Sequence, residues 1–332
     1  MNHQPDSSAD TSLVVLIPVY NDWGALALVV DALDRCGAPP DWKLHILIVD
    51  DGSDEADFPD DLFAPRHSII SVDVLALRRN LGHQRAIAVG LAWLEANMPC
   101  AAVVVMDGDG EDAPSDVPRL MARFEETGRT KIVFAARQRR SEGVTFQIFY
   151  QLYRLAHRIL TGIPVRVGNF SVVPWPLLRR LVVVSDLWNH YAAAVFKARL
   201  PMTTIPTQRA HRLMGHPTMN FTALVMHGLS AMSVLGDRIG VRLSIAVGGL
   251  FVISMIGVAG LVGSGMVAAA GFSQGLFVAV TLIVVFAIQL VLGVTLFAFG
   301  VLGRRDTASF LPLRDYHYFV DRRTTLWTHD GG

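Results

Sequence analysis

The chain has 332 residues, with 29 basic against 29 acidic side chains, 52% hydrophobic residues and only 17% charged ones. A formal charge of zero argues against a nucleic-acid binder, whose electrostatic footprint is a basic surface. The length exceeds what one core usually fills, so a large domain plus a second element is expected.

Residues 1–11 are polar and lack the basic and apolar regions of a signal peptide, which predicts a flexible start before a domain that stays in the cytosol. SLVVLIPVY (Ser12–Tyr20) reads as a buried strand, followed by a helical stretch to about Cys36. KLHILIVDDGS (Lys43–Ser53) is a second strand running into a turn, and SVDVLAL (Ser71–Leu77) alternates with period two. HQRAIAVGLAWLEAN (His83–Asn97) reads as a helix and AAVVVMD (Ala101–Asp107) as a strand. SDVPRLMARFEETG is a helix opened by Ser115 and closed by Gly128, and KIVFAAR follows as a strand. This alternation implies an α/β domain over 12–215, with a mainly parallel sheet and helices on both faces. Cys36 and Cys100 lack metal-type spacing and read as reduced core residues.

Ligands of such sheets bind beyond the carboxyl ends of the strands. There the chain carries PVYND, DDGSDE, RRNLGHQRA and MDGDGEDAP. One such loop alone would pass for a solvated turn, whereas four in register read as a site. Met106–Pro114 holds four carboxylates within six residues: Asp107, Asp109, Glu111 and Asp112. Asp107 and Asp109 can converge on one hard divalent cation, with Glu111 as a third ligand. Oxygen-only ligation suits Mg2+ or Mn2+. D-x-D alone is a weak signal, because Asp and Gly also build plain turns, and paired carboxylates also serve glycoside hydrolysis. Asp112 reads as a helix-start acid. Arg78, Arg79, His83, Arg85, Arg137, Arg209 and Arg212 are the basic residues near this rim, and arginine suits phosphate oxygens through its bidentate fork.

Phe146–Leu160 is amphipathic and equally compatible with packing on the core or lying at a membrane interface, and 216–242 reads as an amphipathic juxtamembrane helix. From Leu243 to Gly303 there is no Asp, Glu, Lys or Arg. At roughly 20 residues per crossing, 243–303 holds two transmembrane helices, near Ser244–Ala269 and Leu276–Leu302, turning at Ala270–Gly275. The small residues of Gly257–Gly265 would let the pair approach closely, and paired membrane helices favour homo-oligomers. Arg238 and Arg242 precede the stretch, and Arg304, Arg305, Arg314, Arg322 and Arg323 follow it. The positive-inside rule then places both termini in the cytoplasm, with 304–332 as a cytoplasmic C-terminal tail.

PVYND, IVDDGSDE, RNLGHQRAIAVGLA, MDGDGEDAP and RAHRLMG, in this order and followed by two apolar spans, resemble family-2 glycosyltransferases. The nearest branch is the polyprenyl-phosphate glycosyltransferases, and the likeness runs from about Ser12 to Val301. The resemblance implies a GT-A fold, a UDP- or GDP-sugar donor, a divalent metal, inversion, and a polyprenyl phosphate acceptor in a lipid bilayer such as the bacterial inner membrane. By motif, Pro18, Tyr20 and Asp22 would line the nucleotide pocket and Asp51 would hydrogen-bond the base. Asp107 and Asp109 would hold the metal with Glu111 in support. Arg85 and Arg137 would contact substrate. Arg209 and Arg212 would lie in a loop covering the donor diphosphate, with Arg212 assisting its departure. Three positions depart from the pattern: Asp22 stands where Glu is commoner, Asn169 where a carboxylate is usual, and Thr218 where a lysine is expected. A processive polysaccharide synthase of the same fold would carry a Q-x-x-R-W motif, which is missing here. A membrane-anchored nucleotide-sugar-binding partner without catalysis is the second alternative.

Overall fold

The computed structural model describes residues 11–37, 39–54, 62, 64–137, 158–161, 167–208, 210–214, 230–263, 274–303 and 310–329. They divide into two compact units, one drawn from 1–144, 166–234 and 310–332, the other from 145–165 and 235–309.

In the first unit the apolar runs become β1 (Ser12–Val19), β2 (Lys43–Asp50), β3 (Ile69–Leu77), β4 (Ala102–Val105), β5 (Ile132–Arg137), β6 (Val167–Pro174) and β7 (Met202–Thr207). A further strand, β8 (Val320–Thr328), comes from the end of the chain. The eight form one sheet in the order β7-β5-β6-β4-β1-β2-β3-β8. Four neighbouring pairs are parallel (β1–β2, β1–β4, β2–β3, β5–β7) and three antiparallel. Successive side chains of a strand point to opposite faces. Val14 and Leu16 accordingly join one core and Leu13, Val15 and Ile17 the other. Because both faces are covered, β1 is buried along its whole length.

On one face lie α1 (Trp23–Cys36) and α3 (Val117–Glu126). On the other lie α2 (His83–Asn97), α4 (Trp175–Leu181) and α5 (Tyr191–Lys197). The bounds of α2 match the sequence expectation. Ser115 does not cap α3: a 3-10 turn at Pro114–Asp116 comes first, and Pro118 removes an N–H that a cap would serve. Cys100 is buried as expected, whereas Cys36, at the last residue of α1, is exposed.

The segment read as a tail returns to this sheet. β8 pairs antiparallel with β3, from Ser71 opposite Thr328 to Leu77 opposite Val320. Asp73, buried within β3, anchors it by accepting from Arg323 Nε at 3.0 Å and from Thr325 Oγ1 at 2.6 Å.

The second unit holds α6 (Gly236–Gly263) and α7 (Gln274–Gly303). The start of α6 faces the end of α7, Gly240 against Phe297, so the two run antiparallel. Ile245, Ile253, Ile256, Leu282, Phe286 and Leu296 are all exposed on them. One stretch among the described residues, Gly236–Gly257, is long and apolar enough to cross a membrane, and Leu282–Phe297 is a shorter apolar run. In Gly257–Gly265 the described Gly257 faces open space, so close approach is not made there. Of the amphipathic segment 146–160, residues 158–160 are described and are helical.

Candidate active site

The loops after β1, β2, β3 and β4 are tied to one another by hydrogen bonds. After β1 the chain turns through Asn21 in the left-handed region, at φ 51°. Asn21 then pairs with the β2 loop: its N–H donates to Ser53 Oγ at 3.0 Å, its Nδ2 donates to Asp54 at 3.0 Å, and its Oδ1 accepts the Asp54 N–H at 2.9 Å. Tyr20, half exposed, places its hydroxyl 3.4 Å from the same Asp54 carboxylate. Pro18 is buried in β1 opposite Val49.

Asp51 joins the second loop to the third. Its carboxylate, 3% exposed, accepts the N–H groups of Leu81 at 2.7 Å and Gly82 at 2.8 Å. Burial raises its pKa above the usual carboxylate range, against those two bonds. Both oxygens are engaged by backbone, so a base would meet only their remaining lone pairs. Gly52 is required beside it: at φ +71° its Cβ would stand 2.5 Å from the Arg79 backbone.

The acidic turn divides its carboxylates. Asp112, 2% exposed, accepts the Asp107 N–H at 3.0 Å, which fixes the turn from inside rather than serving a helix end. Asp109 accepts the Glu111 N–H at 2.9 Å. Two backbone bonds then seat the loop 210–214 on the turn, from Ala210 N–H to Glu111 O and from Leu213 N–H to Asp109 O, each 3.0 Å. Arg212 of that loop pairs through Nη2 with Asp22, through Nη1 with Asp109 at 3.5 Å, and through Nε with Met214 O at 2.8 Å. Asp22 has a raised pKa because burial and the nearby Asp109 outweigh the guanidinium.

A side-chain relay, missed in the sequence, reaches the turn from the other side. The Tyr191 N–H donates to Gln84 Oε1 at 2.8 Å, which obliges Gln84 Nε2 to point to Asn169 Oδ1 at 3.1 Å. Asn169 Nδ2 therefore faces His83 Nε2 at 2.9 Å and Asp107 Oδ1 at 3.4 Å. His83 Nε2 itself lies 3.1 Å from Asp107. Burial works to lower the His83 pKa, but Asp107, then Asp112 and Asp51, outweigh it and the net direction is upward. Ser171 donates to Asn169 O at 2.8 Å, so the buried Tyr191 hydroxyl donates to Ser171 at 2.6 Å. The only sequence signal for this relay was the unusual amide at 169.

Arg85, half buried, leans over the Trp188 ring at 5.1 Å. Arg137 ends β5 opposite Thr207. Arg209 and Thr218 lie outside the described residues. Among the described residues no three His, Cys, Asp or Glu side chains form an all-protein metal cage. Asp107 and Asp109, with Glu111 beside them, suit instead a hard cation of the Mg2+ type, which takes one or two carboxylates and completes its shell with substrate phosphates. Arg212 already sets a positive charge against Asp109.

Residues 14–180, half of the chain and all four loops, match the model of glycosyl transferase family 2. The chain belongs to this family. Over 229 residues the family-2 chain is 25% identical to the uncharacterized glycosyltransferase YkcC of Bacillus subtilis (strain 168), covering 66% of this chain and 68% of that protein. Over 227 residues it is 23% identical to the undecaprenyl-phosphate 4-deoxy-4-formamido-L-arabinose transferase of Salmonella choleraesuis (strain SC-B67), covering 66% of each. The chain thus spans about two thirds of the length of these relatives. In fold, the glycosyltransferase is similar to glucosyl-3-phosphoglycerate synthase from Mycobacterium tuberculosis, solved with Mn2+, UDP-glucose and phosphoglyceric acid. The TM-score is 0.50 at 18% identity, over 70% of this chain and 81% of that one.

Proposed function

We propose that this chain moves a sugar, with inversion, from a UDP- or GDP-sugar to a polyprenyl phosphate at the cytoplasmic face of a membrane. The observation that carries the reading is the seating of Arg212 between Asp22 and Asp109 over the acidic turn. It gathers acid and guanidinium at the strand ends, where α/β sheets bind ligands. An undecaprenyl-phosphate sugar transferase among the relatives supports the acceptor class. The uncharged stretch 243–303 of α6 and α7, bracketed by Arg238, Arg242, Arg304 and Arg305, supports a membrane hairpin with both ends cytoplasmic.

The loops of Pro18, Tyr20, Asp22 and Asp51 would hold the nucleoside. Asp107 and Asp109, with Glu111 in support, would hold Mg2+ or Mn2+, which when bound offsets charge on the departing diphosphate. Arg212 donates to that diphosphate from a position its acidic neighbours and Met214 O have already fixed, and the family resemblance assigns Arg209 and Arg137 to substrate contact as well. A phosphate oxygen of the acceptor forms the new bond to the anomeric carbon. The bond from that carbon to the diphosphate breaks, and its electron pair leaves with the diphosphate. A phosphate monoester has a second pKa of about 6 and is ionised at neutral pH, so it attacks without a general base. An amide at Asn169 is compatible with that chemistry, and its task is to orient His83 and Asp107 rather than to take a proton.

The test is to incubate membranes carrying the full chain with a panel of radiolabelled nucleotide sugars, with and without polyprenyl phosphate and Mn2+. Lipid-extractable label that depends on both additions is expected, and Asp109→Ala should abolish it while the protein stays in the membrane. No lipid label from any donor would refute the reading.

A further inference from the structure

Among the described residues Arg85 is a half-buried guanidinium without a carboxylate partner. Its contact is the face of Trp188, whose ring packs 3.9 Å from Phe310 and 5.0 Å from Phe319, while those two lie 5.4 Å apart. All three rings remain partly exposed. Two of them belong to the segment that returns after α7, and Phe310 stands seven residues beyond Gly303. Arg85 is two residues from His83, which touches Asp107, so the two share the end of α2 that meets the acidic turn. Arg78, on the same rim, gives its Nε to Val320 O and likewise has no carboxylate partner among the described residues.

Partial burial of a guanidinium is unfavourable, and a ring face offsets only part of that cost, whereas an anion would offset more. Partly exposed aromatic rings, two of them rooted on the core, beside a cation without a carboxylate partner among the described residues complement a ligand with an anionic head and an apolar tail. We infer that Arg85 and the Trp188–Phe310–Phe319 platform form the acceptor subsite. Arg85 binds the phosphate of a polyprenyl phosphate, and the rings take its first isoprene units. The inference rests on the acceptor class proposed above and adds a role for the C-terminal segment, which supplies two of the three rings.

The experiment measures binding of farnesyl phosphate to the full chain in detergent, with inorganic phosphate and farnesol as separate probes. The wild type should bind farnesyl phosphate at least about tenfold more tightly than either probe alone. Phe319→Ala should weaken farnesyl phosphate about tenfold, and Phe319→Leu, which keeps apolar volume without the ring, should weaken it in the same direction. Arg85→Gln should weaken farnesyl phosphate about tenfold while leaving farnesol unchanged. If Phe319→Ala proves unstable, the Leu and Gln variants decide the matter. Wild-type binding by Phe319→Leu and Arg85→Gln at an unchanged thermal midpoint overturns the subsite. No farnesyl phosphate binding by the wild type, together with no lipid label in the transfer assay, overturns the acceptor class as well. Lipid label formed by these variants at the wild-type KM overturns the subsite alone.

Discussion

Gly110 sits between Asp109 and Glu111 at φ +84°, with a side chain's worth of space already filled by Leu213. A Cβ at 110 would stand 2.4 Å from Leu213 Cγ and 2.7 Å from its Cδ1, where ordinary contact begins at 3.4 Å. Gly110→Ala therefore drives the seated loop back by about 1 Å, and a displacement of that size costs about a hundredfold in rate when it moves a catalytic group. The left-handed backbone adds about 1–2 kcal/mol of strain. At about 2–4 °C per kcal/mol, the thermal midpoint falls by about 2–8 °C. Expected kinetics are a kcat/KM for the donor lowered about a hundredfold, because Arg212 leaves Asp109 and Asp22. Adding Leu213→Ala removes both clashing atoms and leaves only its Cβ, at 3.3 Å. The double variant should recover most of the rate while keeping the loss in thermal midpoint. A wild-type kcat/KM for Gly110→Ala, or no recovery in the double variant, would refute the idea that the loop must sit on this turn.

Asp51→Ala strips the Leu81 and Gly82 N–H groups of their acceptor. Each orphan costs about 1–3 kcal/mol, offset in part because burying the carboxylate was itself unfavourable, so a net loss of about 2–3 kcal/mol should appear as a midpoint lower by about 4–12 °C. Asp73→Ala removes the acceptor of Arg323 and Thr325. Arg323 stays half in water, which brings the usual cost of a broken buried pair down to about 2 kcal/mol, and limited proteolysis of the C-terminal segment should speed up about thirtyfold. Gln84→Ala and Asn169→Ala belong to one relay, so their effects on kcat should fall short of additivity by about 0.5–3 kcal/mol in a double-mutant cycle. Strict additivity would mean that Gln84 does not orient Asn169.

Much of the catalytic unit was legible because its signals are local. LVVLI and ILIV are continuous apolar runs of the kind that parallel strands buried on both faces require, and β1 and β2 formed there. The polar loops after four strands were visible as loops, and they do share one rim. What each carboxylate does was not visible. Asp51 reads as a ligand of the base and Asp112 as a helix-start acid, yet Asp51 accepts the N–H groups of Leu81 and Gly82 and Asp112 accepts that of Asp107. The relay joins residues 62 to 107 positions apart, a distance over which no periodicity carries information. β8 was read as a tail because VDRRTTLWT is rich in charge, and the partners that let Arg323 lie in a sheet, Asp73 and the Trp93 ring, stand at least 230 residues earlier. Ser115 failed as a cap because the prolines around it dictate a tighter turn first.

The division among the acids follows from where their charge can be offset. A carboxylate buried to a few per cent must be satisfied by fixed donors, and backbone N–H groups are the cheapest because the fold holds them already. Asp51 and Asp112 are of this kind, and they set the shape of the rim. Asp22, Asp107 and Asp109 keep about a quarter of their side-chain surface exposed, at 30%, 24% and 22%. Apart from the Glu111 N–H that Asp109 accepts, they meet ionisable or amide side chains: Arg212 for Asp22 and Asp109, His83 and Asn169 for Asp107. Side chains can rotate away without unravelling a loop, whereas main-chain donors cannot. On the function proposed above, a divalent cation and a diphosphate would bring nearly equal and opposite charge, so the rim would exchange internal partners for them with little change in net charge. That exchange would leave Asp51 and Asp112 in place and let Arg212 donate to the diphosphate from where Met214 O holds it.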